Sequence, residues 1–159
     1  MSEFTLFFGP HHPNGFLSNW YKAKFQLEGK VFNCTEQWYM YKKAKYFQDQ
    51  DTAQKILSCE NPYQQKKLGR TVKHFNRRQW LKVAPHIMHQ GNLAKYSQNP
   101  SLKKKLLNTK ETILAESSGY DKIWGTGCFP NHKDAKVMTK WPGKNLLGNI
   151  LMLVRKELQ

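Results

Sequence analysis

Phe32–Phe47 reads FNCTEQWYMYKKAKYF, and the fold turns on how this stretch is taken. Its aromatic and apolar residues recur at helical spacing, which predicts an amphipathic helix running to Phe47. Thr35 is the expected N-cap, because its hydroxyl can accept from an exposed N–H of the first turn. A carboxylate, Glu36, nevertheless falls among the aromatics, and Lys43 follows seven positions later. Two helical turns separate them, so both project from nearly the same side, with Cα atoms roughly 10 Å apart. Either the pair lies on the wet edge of the apolar stripe, or it carries chemistry.

Working outward, KAKFQLEGKVFN just before the helix reads as a β-hairpin. Ala23, Phe25 and Leu27 alternate with polar residues, Glu28-Gly29 turns the chain and Val31 begins the return. Nearer the N-terminus, FTLFF is a short strand stopped by Gly9-Pro10, and PHHPNGFLSNW is rich in turn residues. Beyond the helix, a second is expected over Asp51–Ser58. A third has Asn61 as N-cap, Pro62 at its first position and Gly69 at its end. The stretch from Asn76 to Gln98 is helical by period, with Pro85 expected to kink it or start a new helix. NPSLKKKLLNT repeats the Asn-Pro start, ETILAES is β-like, and NLLGNILMLVRKEL closes the chain as an amphipathic helix. Between them, residues 120–145 form a long aperiodic segment of the kind that is commonly functional. The expectation is one α+β domain over residues 1–159, mostly helical, with a short N-terminal hairpin and strands.

With 159 residues the chain can bury roughly 70% of its unfolded surface and needs no metal or disulfide staple. Its 26 Lys and Arg against 11 Asp and Glu give a formal charge of +15, which draws anionic partners such as nucleic acid, nucleotides and phosphorylated metabolites. Cys34, Cys59 and Cys128 are odd in number, far apart and without a CxxC, which fits neither a disulfide framework nor a zinc site. No signal peptide or membrane span is expected. These features predict an intracellular protein, cytoplasmic or, in a eukaryote, nuclear, with no membrane partner.

Familiar motifs contribute little. Gly125-x-Gly127 lacks the strand–helix surroundings of a dinucleotide fold. Trp141-Pro142-Gly143-Lys144-Asn145 lacks the rest of a Walker loop, although backbone N–H groups and Lys144 at a helix start suit a phosphate. An ordinary helix entry explains the same residues. His86 and His89 share a helical face without a third ligand. The run SLKKKLLNTK is either a solvated face or a diffuse nucleic-acid contact. No serine or cysteine nucleophile has a supporting signature.

Four pieces are more specific together: GFLSNWYKAKFQLEGKVFNCTEQWYMYKKAKYF, KLGR…RRQWLKVAPHIM, LAESSGYDKIWGTG and GKNLLGNILMLVR. In order and spacing the chain resembles the NADAR, or YbiA-like, family over nearly its whole length. The matching positions are Ser18 and Asn19; Glu36 and Lys43; Trp80; Glu116, Asp121, Trp124 and Gly125; then Gly143, Asn145 and Gly148. Gln37 departs from the family's frequent His, and the segment between Gly127 and Gly143 looks like an insertion.

The resemblance implies an enzyme without cofactor or metal that cleaves the bond between an anomeric ribose carbon and a base nitrogen. One branch of the family hydrolyses phosphorylated ribosylamino-pyrimidines of riboflavin synthesis. Another resembles an ADP-ribosyl glycohydrolase that frees guanine bases in nucleic acid. Departure of the base builds positive charge on the sugar, as in glycosidases. Glu36 is then the catalytic carboxylate; otherwise it only complements the helix dipole, worth ~0.3–1 kcal/mol. Lys43 is a nucleophile of lowered pKa, an anion ligand, or a surface lysine paired with Glu36. Asn19, beside Ser18, offers donor and acceptor to ribose or base, or else caps a turn. Trp80 and Trp124 are stacking faces or, for Trp80, core packing. Glu116 and Asp121 supply a second carboxylate and a ribose ligand beside Gly125, and Gly143, Lys144 and Asn145 meet phosphate. The high positive charge favours ADP-ribosyl-guanine in DNA, with a DNA ADP-ribosyltransferase as functional counterpart. The small ribosylamino phosphates are the alternative, and a non-catalytic reader of ADP-ribose or nucleic acid is the third.

Overall fold

The elements follow in the order β1 (Phe4–Phe7), β2 (Phe25–Leu27), β3 (Lys30–Phe32), α1 (Thr35–Tyr46), α2 (Gln50–Leu57), α3 (Pro62–Gly69), α4 (Arg77–Ser97), α5 (Pro100–Leu107), β4 (Ile113–Glu116) and α6 (Leu146–Glu157). Short 3-10 turns occupy Gly15–Leu17 and Met138–Lys140. This computed structural model describes residues 3–159. The expected helix-dominated α+β class holds. The chain divides into two compact units, one of Lys22–Asn99 and one of Met1–Tyr21 with Pro100–Gln159.

In the Lys22–Asn99 unit, β2 and β3 pair antiparallel with Phe25 opposite Phe32. Glu28 at φ 52° and Gly29 at φ 74° make the tight turn between them. Two successive left-handed residues match the twist of a two-residue hairpin. Phe32 then meets the indole of Trp38 edge-on at 5.2 Å. Trp38 is fully buried and donates its indole N–H to the Ile87 carbonyl of α4 at 2.8 Å. A Cβ at Gly91 would fall 2.4 Å from Trp38 Cδ1, so α4 can approach α1 only because that position has none.

The N-terminus of α1 corrects the sequence expectation by one residue. Cys34 is the N-cap, in extended backbone, and Thr35 is already helical. Gln37 takes over the tethering: its side-chain oxygen accepts from Asn33 N at 2.7 Å. Its amide donates to the carbonyls of Ile56, Leu57 and Cys59 at 3.0–3.2 Å. One side chain thus fixes where α1 begins and where α2 ends. Asp49 caps α2, and Asn61 and Pro62 start α3 as the sequence indicates. Pro85 lies inside α4 and does not begin a new helix.

In the other unit, β1 and β4 form a two-stranded parallel sheet, with Phe4 opposite Ile113 and Phe7 opposite Glu116. Leu147, Leu151 and Val154 of α6 are fully buried, and this helix packs on β4. Close packing needs Gly148, whose Cβ would lie 2.1 Å from the Leu114 carbonyl oxygen. Among the described residues no helix is long and apolar enough to cross a membrane.

Candidate functional site

Three of the sequence-selected residues, Glu36, Lys43 and Trp80, lie in the Lys22–Asn99 unit. Glu36 sits in the first turn of α1 and is 6% exposed. Burying a carboxylate costs several kcal/mol unless charges or hydrogen bonds compensate, so dipole complementation alone is a poor reason to keep it there. One compensating charge is Lys43. Burial pushes the Lys43 ammonium below the ordinary lysine range, Glu36 pulls it back up, and the neighbouring Arg70 pushes it down further. Both members of the pair therefore sense each other along one face of α1.

Lys43 is half-buried, with its Nζ 4.2 Å from the ring centre of Phe75. That ring packs edge-on against Phe47 at 5.4 Å, and Phe47 lies beside Trp80. Trp80 is 3% exposed, donates its indole N–H to the Tyr39 hydroxyl at 2.9 Å, and packs against Tyr39 and Tyr46. It has no open face for a base and serves as the wall that orients Tyr39. Tyr39 stands between Glu36 and Lys43 in sequence, at helical spacing from each. Two rings here are exposed, Tyr46 at 45% and Phe75 at 42%; the sequence does not single out Phe75, because it sits in the irregular link between α3 and α4.

Asp49 holds that link in place. Its carboxylate accepts from Lys73 N at 3.0 Å and from Thr52 N and hydroxyl at 3.2 and 2.7 Å. These bonds, the Lys73 amide first, keep its pKa below the usual carboxylate range. A capping residue of α2 thereby fixes the loop that presents Phe75.

The remaining selected residues belong to the second unit, and most hold backbone. Ser18 is buried, and its hydroxyl accepts from Trp20 N at 3.2 Å; Asn19 is buried beside it. Asp121 accepts from Ile123 N and Trp124 N at 2.9 and 2.8 Å, closing a tight turn with its own side chain. Asn145, in left-handed backbone at φ 51°, accepts from Glu116 N and donates to the Leu114 carbonyl, each at 3.0 Å. Five successive amides, from Gly143 to Leu147, donate to carbonyls between Lys122 and Thr126. Gly143 is obligatory there, since a Cβ would lie 2.3 Å from the Gly125 carbonyl oxygen. Gly125 in turn passes within 2.9 Å, at the Cβ position, of the Asp121 and Glu116 carbonyls.

The two glycine-bearing motifs therefore lace one loop to the start of α6. The amides expected to receive a phosphate already have carbonyl partners, and the exposed Lys144 side chain is what remains for an anion. Among the described residues no group of three or more His, Cys, Asp and Glu could hold a metal ion.

The NADAR domain family matches residues 6–159, and this chain belongs to that family. It is 41% identical over 147 residues to an N-glycosidase of Acanthamoeba polyphaga mimivirus, covering 89% of this chain and 86% of that one. It is 32% identical to a riboflavin biosynthesis protein of Vibrio vulnificus over all of this chain but only 40% of that longer protein. The NMR structure of the E. coli protein YbiA superposes with a TM-score of 0.81 at 26% identity, over 99% of this chain and 86% of that one. Relatives named N-glycosidases support a hydrolase acting on N-glycosyl bonds.

Proposed function

We propose that this protein removes ADP-ribose from guanine bases in nucleic acid, working without a metal. The observation that carries the reading is the α1 face itself: a buried carboxylate and a lysine with depressed pKa, two turns apart, in mutual electrostatic reach. As the bond from ribose C1' to the base nitrogen breaks, positive charge grows on the sugar, and Glu36 stabilises it. In the direct route Glu36 takes a proton from the attacking water, whose oxygen bonds to C1' while the base leaves with its electron pair and gains a proton. In the covalent route neutral Lys43 attacks C1' and the base leaves with the bonding electron pair and gains a proton. The bond from C1' to the ring oxygen then opens, that oxygen takes the second lysine proton, and water hydrolyses the resulting imine. A depressed lysine pKa raises the neutral fraction that this route requires.

The charge of +15 favours a substrate embedded in a polyanion over a small monophosphate. The likeness to a riboflavin biosynthesis protein supports a second reading, hydrolysis of ribosylamino-pyrimidine phosphates. Mass spectrometry of single-stranded DNA carrying ADP-ribosylated guanine separates the two. Wild type is expected to restore plain guanine and release ADP-ribose, while Glu36→Gln leaves the adduct. An adduct that survives wild type, with turnover of the ribosylamino phosphate, assigns the second reading.

A further inference from the structure

The positive charge is not spread evenly along the chain. From Asn61 to Lys110 there are twelve Lys and Arg and no Asp or Glu. Within the Lys22–Asn99 unit this gives a run of cations through the end of α3, the following link and the start of α4. Lys66 and Lys67 are in the last turn of α3, Arg70 caps it, Lys73 is in the link, and Arg77 and Arg78 open α4. All six are exposed. Among the described residues Lys67, Arg70, Arg77 and Arg78 make no salt bridge. Arg77 and Arg78 also stand at the positive end of a helix with no acidic residue in its first turn, where cations are disfavoured by ~0.3–1 kcal/mol each. Folding gains nothing from this arrangement; a bound polyanion would.

The ribbon has a fixed relation to the α1 face. Arg70 is close enough to depress the Lys43 ammonium, and Phe75, in the middle of the run, has that ammonium 4.2 Å from its ring centre and is still 42% exposed. An open aromatic ring flanked by cations is the arrangement by which proteins hold single strands: the cations track phosphates and the ring stacks on an unpaired base. A duplex hides its base faces and would leave the ring unused.

We propose that the Arg70–Arg78 ribbon is the path of a single-stranded polynucleotide, with Phe75 as a stacking platform for the nucleotide next to the one on the α1 face. This deepens the nucleic-acid reading above and rests on it for the position of the target base, but strand binding itself needs no ADP-ribose.

The test is fluorescence anisotropy with unmodified labelled 15-nucleotide strands, one of DNA and one of RNA, and the corresponding DNA duplex, across a salt series. The triple variant Arg70→Ala/Arg77→Ala/Arg78→Ala should bind the single strands at least 10-fold more weakly at low salt. It should also flatten the log–log salt slope by about 2, as loss of three phosphate contacts predicts. Phe75→Ala should weaken single-strand binding about 5- to 100-fold with the slope kept. Lys103→Ala/Lys104→Ala/Lys105→Ala in α5 removes the same charge and should change either quantity little. Circular dichroism and thermal unfolding establish that each variant is folded.

Equal weakening by the two triple variants, a Phe75→Ala variant that binds as wild type, or a preference for the duplex would each overturn the proposal. Turnover of the ribosylamino phosphate and of ADP-ribosylated DNA, measured on wild type in parallel, keeps the two claims separate. Strand binding without turnover removes the hydrolase reading alone, and turnover without strand binding removes the ribbon alone.

Discussion

The α1 face and the loop that enters α6 both contain family-matching residues, and they use them in opposite ways. Around Asn145 the polar side chains and glycines are explained by the backbone: Asn145 joins two groups of β4, Asp121 closes its own turn, and Gly143 admits a carbonyl. On α1, Glu36 and Lys43 are buried or half-buried at a cost that their helix does not require. A matching residue therefore reports chemistry only after its structural duties have been counted. By that count the glycine-rich motifs are explained as scaffold, which is why the proposed function puts the chemistry on α1.

The sharpest way to break this contrast is at Lys43. Lys43→Met keeps the bulk of the stem and is expected to lower turnover about 10²- to 10⁴-fold with the fold retained. If the covalent route operates, borohydride during wild-type turnover traps a protein–sugar adduct that the variant cannot form; repeated absence of that adduct assigns the direct route. Because burial depresses the Lys43 pKa, activity through the neutral amine should rise with pH through a value below that of an ordinary lysine. A pH profile flat across that region would contradict nucleophilic use of Lys43.

On the scaffold side, Asn145→Ala removes one buried and one part-buried hydrogen bond and puts alanine at positive φ. It should cost about 2–4 kcal/mol in urea unfolding, with turnover falling only as the folded fraction falls. A stable Asn145→Ala that is inactive would move this residue from scaffold to chemistry.

Lys95 sharpens the contrast within one unit, since a buried lysine is not by itself a reactive one. It is fully buried in α4, and burial pushes its pKa down to about 7 against an ordinary 10.5. Between those values the unfolded chain binds the proton and the folded chain does not, so stability rises with pH, by at most about 1.4 kcal/mol per unit. Below about pH 7 both states are protonated and the full burial penalty applies. Lys95→Met should flatten that rise and stabilise the protein most near pH 6; an unchanged pH–stability slope would show that Lys95 keeps its charge. The smallest effect is expected for Tyr39→Phe, which leaves the Trp80 indole N–H without its acceptor, at about 1–2 kcal/mol.

Much of this was legible in the sequence where local chemistry decides. Glu28-Gly29 made its hairpin turn, Asn61, Pro62 and Gly69 bounded α3, and Glu36 with Lys43 fell on one helical face. What was hidden depends on partners distant in sequence. Nothing local says that Phe4–Phe7 pairs in parallel with Ile113–Glu116. Nothing says that Gln37, the departure from the family's frequent His, bridges three carbonyls at the end of α2. A glutamine three residues past the cap is a common tether, which is the one signal that could have found it. Phe75 escapes a sequence reading because irregular links carry no period. Of the two roles open to Trp80, stacking face or core packing, the structure shows core packing, a choice that depends on which sides of the indole are covered. Capping chemistry puts the start of α1 one residue late, at Thr35, because Cys34, a poor capping side chain, holds the extended backbone instead.

The most direct test of the α1 assignment is turnover of ADP-ribosylated DNA by wild type and Glu36→Gln at equal folded concentration, with thermal unfolding recorded for both. The account predicts at least a 100-fold loss of guanine restoration in Glu36→Gln with substrate affinity and melting temperature close to wild type. A folded Glu36→Gln that restores guanine at the wild-type rate would contradict it and place the chemistry away from α1.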